Sequence, residues 1–561
     1  MKRLWPIGLR CEVGATAIVI LLVTSFLVDA AERSTPQLEF DHASGFYESE
    51  FPLALSKVIP GAVVYYTTNA ALPHPSTGIP YRKSIPIRTT TIVRAAAFKG
   101  NTAVTDVETR TYLFPAATQQ QSGSQLPGSW GTNSGSAIPA HYVMSETAAS
   151  EEITAGLQAL PIISIVTETE NLFSPATGIY LHPMERGNNW ERSASMEMFG
   201  GRNPGGFRVN CGLRIHGGMS RRPEESPKHS FRLVFKRRYG LAKLTFPVFE
   251  AGQRSEYDEL ILRAGGSDSW LDSNGERRQR ALYLRDEWMR QSMAAMGYPS
   301  ARGQLVHLYL NGLYWGVYDL CERPGTPLTN QATSKDDVQN ADKTESGDRI
   351  VWDKVMTLAN SGLGDPANYQ TISRYLDLAQ LADYLILNFY AGNSDWDRSA
   401  NWYAIRPRTA EGKFRFFVWD AEQTFGEVDA NTLDLDDDKS PMRLFQKLTE
   451  NSAFRALFAA RAQHLLFQNG PLSPAAAAER FRQLSESLRA ALPVEAARWG
   501  NYRASVHQYK NGPYEPLSVP DHWQPEINRL LSDYIPRRRE ILLEQFRERG
   551  LFSVGDTSGE P

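Results

Sequence analysis

The chain has 561 residues, 42% of them hydrophobic, and a formal net charge of -3. This length exceeds what one ordinary hydrophobic core holds, so the composition excludes a disordered chain and predicts two or more globular domains. The nearly balanced charge provides no basic field and disfavours nucleic acid or an anionic membrane surface as a partner.

The first thirty residues have the pattern of an export signal. Three basic residues precede the apolar run Ala15 to Val28, and Ala30 offers a small side chain at the cleavage position. The run is shorter than the about 20 apolar residues of a membrane span. We therefore expect residues 1–30 to be removed and the protein to be exported to the periplasm, the cell surface or the extracellular space. The alternative is an uncleaved amphipathic anchor, which is the only route by which we expect contact with a membrane.

Residues 38–115 have the composition of a small all-β sandwich. Segments rich in Tyr, Val, Ile and Thr, such as Ala62 to Thr67 and Thr91 to Phe98, alternate with turns that contain Gly and Pro. The next residues are crowded with Gln, Ser, Gly and Thr and carry almost no charge. That composition predicts a flexible linker over residues 116–152.

Residues 153–552 contain strand-like segments first and helical segments later. Helical periodicity covers Leu284 to Met296, Ala379 to Phe389 and nearly everything after Met442. This order predicts an α+β catalytic domain with a sheet-rich front and a helical back, followed by a short tail at residues 553–561.

A glycine-containing segment in the sheet-rich front is a candidate anion site. Two successive glycines after His216 permit close approach of the backbone to phosphates, and Ser220 and Arg221 supply donors. Lys228 opens the next strand, from which it is expected to project toward a bound anion. The competing interpretation is an ordinary polar hairpin with a surface lysine. His216 is interpreted as a hydrogen-bonded strand histidine rather than a general base.

Residues 393–426 contain the residue types that metal-dependent phosphoryl transfer needs. Asp395 and Asp397 lie in a loop, where one acid can position an attacking hydroxyl, and the amide oxygen of Asn401 can hold a cation. Asp420 ends an apolar strand, from which a carboxylate can bridge that cation to phosphate oxygens. An alternative chemistry uses Asp395 and Asp420 as the acid pair of a glycosidase.

Two further sets of residues have open interpretations. Cys211 and Cys321 remain after removal of the signal, and they form either one disulfide or two buried thiols. An acidic run is either a calcium site or, preferably, a solvated loop; it consists of Asp434, Asp436, Asp437 and Asp438.

The small β domain resembles the chitobiase/β-hexosaminidase C-terminal-type domain. The likeness rests on residues 44–47 (SGFY), residues 65–69 (YYTTN), Pro73 and the closing residues 109–114 (TRTYLF). Residues 69–71 read Asn-Ala-Ala where Asp-Gly is usual, so the resemblance implies the sandwich without a ligand role. Such modules are commonly spacers, and carbohydrate binding is the minor alternative.

Nearly all of residues 153–552 resemble the CotH kinase family, secreted atypical protein kinases named after a spore coat protein. The likeness rests on ordered motifs: HGGMSR (216–221) with PKHSF (227–231), LRDE (284–287), YLNGLYWGVY (309–318) with Glu322, and NSDW (393–396) with Asn401 and WD (419–420) through FG (425–426). The resemblance implies a divergent protein-kinase-like domain that binds ATP and Mg²⁺ or Mn²⁺.

For the nucleotide, the resemblance implies that Lys228 contacts the phosphates, with Ser220 and Arg221 nearby. Glu287 is implied as the carboxylate that pairs with Lys228 and orients it, and Asp286 is the rival for that pairing. The alternative for Glu287 is that it merely covers a helix face.

For the chemistry, the resemblance implies that Asp395 accepts or orients the substrate hydroxyl. Asp397 is the rival, because it lies in the same loop. Asn401 is implied to help hold the metal, and Asp420 to be its principal ligand. Glu422 departs from the Asp or Asn that many relatives have at that position, which puts the metal preference in doubt.

Glu322 is implied to lie at the junction between the two lobes, near the adenine. The alternative is that Glu322 and Arg323 form a structural ion pair.

We therefore predict an exported atypical protein kinase that transfers the γ-phosphate of ATP to Ser or Thr hydroxyls of a protein substrate, with the protein itself as one candidate. The alternative is an exported pseudokinase, scaffold or binding protein of the cell envelope, because ATP is scarce outside the cytoplasm. Fold-level resemblance alone does not decide between them.

Overall fold

The computed structural model describes residues 37–56, 59–146, 148–200, 206–249, 255–324, 336–340, 343–397 and 401–553. The expected export signal and all but the first residue of the expected tail lie outside these ranges. Within the described ranges, none of the helices has both the length and the apolar composition that a bilayer crossing requires.

The N-terminal region is all-β, as predicted. Its strands are β1 (Glu39–Phe40), β2 (Gly45–Phe46), β3 (Phe51–Leu53), β4 (Leu55–Ser56), β5 (Val63–Thr67), β6 (Ile79–Pro80), β7 (Ile85–Ile87), β8 (Thr91–Lys99), β9 (Thr102–Ala103) and β10 (Glu108–Leu113). The main sheet has the order β2-β10-β8-β5-β6, with β9 paired to β8, and two short ladders join β1 to β4 and β3 to β7. Leu53, Ile87, Val93 and Tyr112 are among the buried residues of its core.

The prediction of a flexible linker over residues 116–152 is wrong for the described part of that segment. A 3₁₀ helix (Pro115–Gln120) is followed by a hairpin of β11 (Ser129–Asn133) and β12 (Ser136–Pro139). Trp130 is buried, and its ring lies 5.2 Å from that of Tyr180 and 6.2 Å from that of Trp315. A few large apolar side chains therefore anchor a segment whose average composition is polar.

The front of the region after the small β domain is a closed barrel of seven strands. They are β13 (Ile162–Val166), β14 (Arg192–Phe199), β15 (Phe207–His216), β16 (Ser230–Val234), β19 (Glu259–Arg263), β20 (Gly303–Leu310) and β21 (Leu313–Cys321). Their order is β13-β14-β15-β16-β19-β21-β20, and a parallel pairing of β13 with β20 closes the ring. Between β16 and β19 lies a separate ladder of β17 (Leu244–Thr245) and β18 (Glu256–Tyr257).

A four-stranded sheet lies against the barrel. It contains β22 (Asp337–Asn340), β23 (Lys343–Ser346), β24 (Trp402–Arg406) and β25 (Arg415–Val418) in the order β23-β22-β24-β25. Ile261 and Cys321 of the barrel pack against Tyr403, Phe417 and Trp419 of this sheet and the turn after it. This contact brings the ends of β24 and β25 to the outer face of the barrel.

Helices dominate the second half of the chain, and we call the helices from α5 onward the helical body. The α-helices are α1 (Ser150–Gln158), α2 (Thr169–Phe173), α3 (Gly275–Gln279), α4 (Arg285–Ala295), α5 (Ile350–Asn360), α6 (Pro366–Ile372), α7 (Leu378–Tyr390), α8 (Pro441–Leu448), α9 (Ser452–Leu466), α10 (Pro474–Arg489), α11 (Leu492–Glu495), α12 (Tyr502–Ser505), α13 (Gln524–Arg529) and α14 (Ile535–Glu548). Side-chain oxygens cap the first turns of several of them, including Asp377, Ser440, Asn451 and Ser473. The mixture of strands and helices confirms the α+β prediction at this coarse level.

The two cysteines are buried free thiols, so the disulfide alternative is wrong. Cys211 lies in the core of the barrel and Cys321 in the contact between the barrel and the four-stranded sheet. Burial raises the pKa of both thiols. They are therefore packing residues.

The small β domain rests directly on the barrel. Ser44 and Thr111 donate hydrogen bonds to Glu197 over 2.5 and 2.7 Å, and the Thr111 hydroxyl also lies 2.8 Å from that of Ser164. Glu197 is buried, and the desolvation raises its pKa. Polar contacts sheltered from water thus join the two domains.

Candidate active site

The loop acid Asp395 is held by two amide side chains. Asn401 donates its Nδ2 to the backbone oxygen of Asp395 over 2.7 Å and to Oδ2 over 3.1 Å. Gln423 donates to the same Oδ2 over 2.6 Å. Asn393 begins the turn by accepting from the backbone N–H of Asp395 over 3.2 Å. These bonds fix the direction of a carboxylate that is only partly buried.

The neighbouring acid Asp397 has a different environment. Its side chain is buried, accepts from the hydroxyl of Ser440, and accepts from the backbone N–H of Asp437 over 3.0 Å. Ser440 in turn caps helix α8. Desolvation raises the pKa of Asp397. These contacts anchor the acidic loop to the helical body, whereas those of Asp395 orient a carboxylate at the surface of the site.

The acidic run makes ion pairs with arginines. Asp436 lies 2.7 Å from Arg443, and Asp434 pairs with Arg549. In the part of the chain that the structure describes, no three His, Cys, Asp or Glu side chains converge as a metal ion requires.

Asn401 and Asp420 lie at the same end of one hairpin. Asn401 immediately precedes β24, and Asp420 lies two residues after the last residue of β25. The two strands pair Trp402 with Val418. Both residues have left-handed backbone conformations, with φ of 68° and 56°. Asn and Asp adopt this conformation more readily than most residues, and its presence at two neighbouring polar positions is typical of a functional turn.

Arg263 joins Asp420 to two other acids. Its guanidinium lies 2.6 Å from Asp420, 2.7 Å from Glu422 and 3.6 Å from Asp286, and it lies over the ring of Trp419 at 4.7 Å. Asp420 is nonetheless 44% exposed at its side chain, whereas Arg263 is 7% exposed. The carboxylate of Asp420 is thus open to solvent, whereas its counter-ion Arg263 is buried.

A second arginine completes this network on the side of helix α4. Arg290 lies 2.9 Å from Asp286 and 2.7 Å from Glu287, and it also pairs with Asp319. Burial raises the pKa of Glu287 and of Glu422 to about 7. The network therefore holds more carboxylates than guanidinium groups, and this excess favours a bound cation or proton.

A small cavity of about 20 Å³ lies beside the network. Tyr283, Leu305, Val317 and Tyr318 form its less polar wall, and charged side chains form the rest: Arg263, Asp268, Asp286, Glu287, Asp319 and Glu422. The space holds about one water molecule, so a larger ligand has to lie over its opening.

The prediction that Glu287 pairs with Lys228 is wrong, and the rival pairing with Asp286 is not observed either. Lys228 Nζ lies 2.6 Å from Oε1 of Glu495 in helix α11 and donates to the backbone oxygen of Val317 over 2.6 Å. Glu495 Oε2 accepts from the N–H of Val317 over 2.7 Å. Both charged side chains are completely buried, and desolvation lowers the pKa of Lys228.

This ion pair satisfies backbone groups that a neighbouring strand would otherwise pair. β19 pairs with β21 only through residues 261–263. Val317 lies further along β21 and therefore has no partner in β19. Lys228 and Glu495 satisfy its carbonyl and its N–H instead. Gly316 makes the approach feasible, because a Cβ there would lie 2.6 Å from Glu495 Oε2.

The side chain of Arg221 shapes the glycine loop. Its guanidinium donates to the backbone oxygens of Gly217 (2.8 Å), Pro183 (2.6 Å), Glu185 (3.0 Å) and Ile215 (2.5 Å). The Ser220 hydroxyl lies beside Gly217, where an added Cβ would come within 2.5 Å of it. The donors of Arg221 are thus engaged within the protein, and the residue holds the loop in shape.

His216 ends β15 at the start of this loop. Its ring centroid lies 6.5 Å from that of Trp419, edge to face. Burial, reinforced by Arg323 and Arg263, holds its pKa well below the usual value, so the ring is neutral near pH 7. The glycine loop therefore begins beside the turn that carries Asp420.

Glu322 does not pair with Arg323, so that structural alternative is wrong. Its carboxylate binds Arg302 over 2.7 and 3.0 Å and accepts from the backbone N–H of the same residue over 3.0 Å. Arg323 lies 3.3 Å from Glu259 and 2.8 Å from Glu345. The expected position near the adenine stays a prediction.

The sequence analysis missed three residues of the site. Gln423 could have been predicted from the sequence, because it lies three residues after Asp420 in the same motif. Arg263 carried a weaker signal, a charged residue at the end of an apolar strand. No sequence signal pointed to Glu495. It is one glutamate among many in a helical region, 267 residues from Lys228.

Comparison with known families accounts for most of the chain. The sequence model of the CotH kinase protein matches residues 213–338 and 323–542, and that of the chitobiase/beta-hexosaminidase C-terminal domain matches residues 42–109. No curated protein matches the chain. The two matches define a kinase-related protein with an accessory β domain. The chain belongs to the CotH kinase family.

Proposed function

We propose that this protein is an exported atypical protein kinase that transfers the γ-phosphate of ATP to a Ser or Thr hydroxyl of a protein, itself included. The observation that carries the proposal is the fixed carboxylate of Asp395, which accepts from Asn401 and Gln423 over 3.1 and 2.6 Å. Because Asn401 and Asp420 share one hairpin end, this acid lies close to the expected metal ligand. Asp395, Asn401 and Asp420 together provide the two carboxylates and the amide that phosphoryl transfer uses.

In this mechanism Asp395 accepts a hydrogen bond from the incoming hydroxyl, orients it and takes its proton. Asn401 and Gln423 contribute by keeping that carboxylate in one direction, which is a positioning effect. Asp397, with both oxygens engaged by Ser440 and Asp437, is not available for the same task.

The residues present fit a divalent cation. The partly exposed carboxylate of Asp420 and the amide oxygen of Asn401 are hard oxygen donors, which Mg²⁺ and Mn²⁺ prefer. When bound, the cation supplies neutralisation of the charge on the transferring phosphoryl group. The excess of carboxylates around Arg263 and Arg290 makes the site electrostatically suited to it.

We place the nucleotide over the opening of the small cavity beside this network. Tyr283 and Tyr318 form its wall, and Lys228 supports them from behind, with its Nζ 5.5 and 4.9 Å from their ring centroids. We therefore assign Lys228 to the support of the cavity wall, since contact with phosphates requires its pair with Glu495 to open. The glycine loop, held by Arg221, would then cover the phosphates.

The test uses γ-labelled ATP with Mn²⁺ or Mg²⁺ and four forms of the protein: wild type, Asp395→Asn, Asp397→Asn and Asp420→Asn. We expect Asp395→Asn to lose transfer by about 10²–10⁴-fold with an unchanged melting temperature, as expected for loss of a base. Asp420→Asn should also lose transfer, whereas Asp397→Asn should mainly lower the melting temperature. Full activity of folded Asp395→Asn contradicts the assignment.

The second candidate is an exported pseudokinase or scaffold, with a component of the cell envelope as its partner. The closed pair of Lys228 with Glu495 and the pair of Arg263 with Asp420 favour it, because both engage groups that a nucleotide or metal would need. Tight binding of ATP without transfer to any protein substrate, in folded wild-type protein, supports this candidate over the kinase.

A further inference from the structure

The carboxylate on which we place the divalent cation already has a cation beside it. One guanidinium, that of Arg263, lies 2.6 Å from Asp420, 2.7 Å from Glu422 and 3.6 Å from Asp286. Asp420 and Glu422 lie in the turn after β25, and Asp286 lies in the first turn of helix α4. Two segments of the chain therefore share one internal counter-ion.

Several contacts fix this guanidinium in place. Arg263 is the last residue of β19, and its side chain is 7% exposed. Its Cζ atom lies 4.7 Å from the ring centroid of Trp419. Arginine keeps its charge even in such surroundings. A fixed positive charge is thus present next to Asp420 whether or not a metal ion is bound.

A divalent cation at Asp420 meets this charge directly. Like charges at such a separation repel strongly where water is largely excluded. Asp286 also accepts from the N–H of Ala421 over 2.9 Å, and Glu422 from that of Ser267 over 2.6 Å, so the acids stay in place without Arg263. Removal of the guanidinium would leave carboxylates ready for another cation.

We propose that Arg263 is an internal counter-cation that competes with Mg²⁺ or Mn²⁺ for Asp420 and so limits the metal affinity of the nucleotide-free protein. The inference rests on the proposed function in one respect, the assignment of Asp420 as a metal ligand. The phosphates of a nucleotide bring negative charge that the guanidinium and the metal ion share. The competition is therefore strongest before the nucleotide binds.

The test is titration of the purified full-length chain with Mn²⁺ alone, without nucleotide, with free Mn²⁺ followed by electron paramagnetic resonance. We expect Arg263→Gln to bind Mn²⁺ roughly tenfold or more tightly than the wild type, because a repelling charge is lost and Asp420 and Glu422 lose their arginine partner. Arg263→Lys keeps the charge, so its affinity should stay within about threefold of the wild type. Unchanged or weaker binding by folded Arg263→Gln overturns the proposal.

Arg232→Gln is the matched control. It removes an arginine of the adjacent strand β16 that pairs with Glu259, and it should leave Mn²⁺ affinity unchanged. Asp420→Asn should abolish the gain when combined with Arg263→Gln, and retention of the gain in that double variant contradicts the proposal.

Two outcomes separate this inference from the proposed function. If Arg263→Gln unfolds without metal, thermal unfolding with Mn²⁺ decides: recovery of a cooperative transition supports the proposal, and no recovery overturns it. If the wild type transfers no phosphate while Arg263→Gln still gains Mn²⁺ affinity, the proposed kinase activity fails and the competition stands.

Discussion

Lys228 and Glu495 show how much the barrel depends on single residues. Removal of one partner of a completely buried ion pair leaves an uncompensated charge. We expect Glu495→Gln and Lys228→Met each to lower the free energy of unfolding by about 3–5 kcal/mol. Urea denaturation of both single variants and the double variant measures this, and the double variant should lose less than the sum of the two.

The matched control is Asp533→Asn, which breaks the exposed pair with Arg537. Its cost should stay below about 1 kcal/mol. Losses of that size for Glu495→Gln as well would show that the buried pair does not support the barrel.

Gly316 permits this pair, and its substitution is a separate prediction. Gly316 has φ of 122°, and an added Cβ would lie 2.6 Å from Glu495 Oε2 and 3.0 Å from Lys228 Cε. Gly316→Ala therefore combines backbone strain with a clash, and we expect a loss of about 2–4 kcal/mol in thermal or urea denaturation.

The control for Gly316 is Gly187→Ala, because Gly187 has φ of 88° and no atom within 4 Å of an added Cβ. It isolates the backbone strain, about 1–2 kcal/mol. Equal losses for the two variants would mean that the clash with the ion pair contributes nothing.

At the scale of elements, helix α4 places two adjacent acids, Asp286 and Glu287, beside Arg290. Burial raises the pKa of Glu287 to about 7 in the folded protein, above its usual value of 4.5. The stability that Glu287 contributes is therefore present below about pH 4.5 and is lost as the pH rises through about 7.

We expect Glu287→Gln to flatten the dependence of unfolding free energy on pH between 5 and 8. The difference from the wild type should be of the order of 1–3 kcal/mol across this range. Urea denaturation at several pH values measures it, with Glu479→Gln, an exposed glutamate of helix α10, as the control. A parallel pH dependence in wild type and Glu287→Gln would contradict the assignment.

Local patterns predicted elements well and contacts between them poorly. Helix α4 was expected at Leu284 to Met296 and spans Arg285–Ala295, because its periodicity is contained in its own residues. The hairpin that buries Trp130 was missed, because average composition outweighed one anchoring side chain. The partner of Lys228 was also missed: Glu287 was expected, with Asp286 as its rival, and only the folded barrel selects Glu495.

Within the candidate site, the acids and the amide of the hairpin end were predictable because they lie within about thirty residues of one another. The counter-ion Arg263 was not, because burial of a charge next to three acids is a property of packing. The environments of Asp395 and Asp397 likewise differ because of packing. Gln423 donates to Asp395, and Ser440 donates to Asp397.

At the scale of the whole molecule, the small β domain and the barrel share a sheltered polar contact at Glu197. Thr111→Val keeps the shape of the side chain and removes its hydrogen bonds to Glu197 and Ser164. We expect a loss of about 1–3 kcal/mol and earlier melting of the small domain, measured by calorimetry.

Thr102→Val, in the exposed strand β9, is the control for this contact. It should leave the melting profile unchanged. A Thr111→Val profile that matches the wild type would mean that the polar contact does not couple the two domains.

The parallel pairing of β13 with β20 and the position of Glu495 have a consequence for the order of folding. The barrel closes only when β20 has joined β13, and the backbone groups of Val317 gain their partner only when helix α11 arrives. A front domain that appears separate along the sequence is therefore completed by a residue of the back domain. During synthesis, the barrel stays unfinished until most of the chain has emerged, so the barrel and the helices behind it form one folding unit.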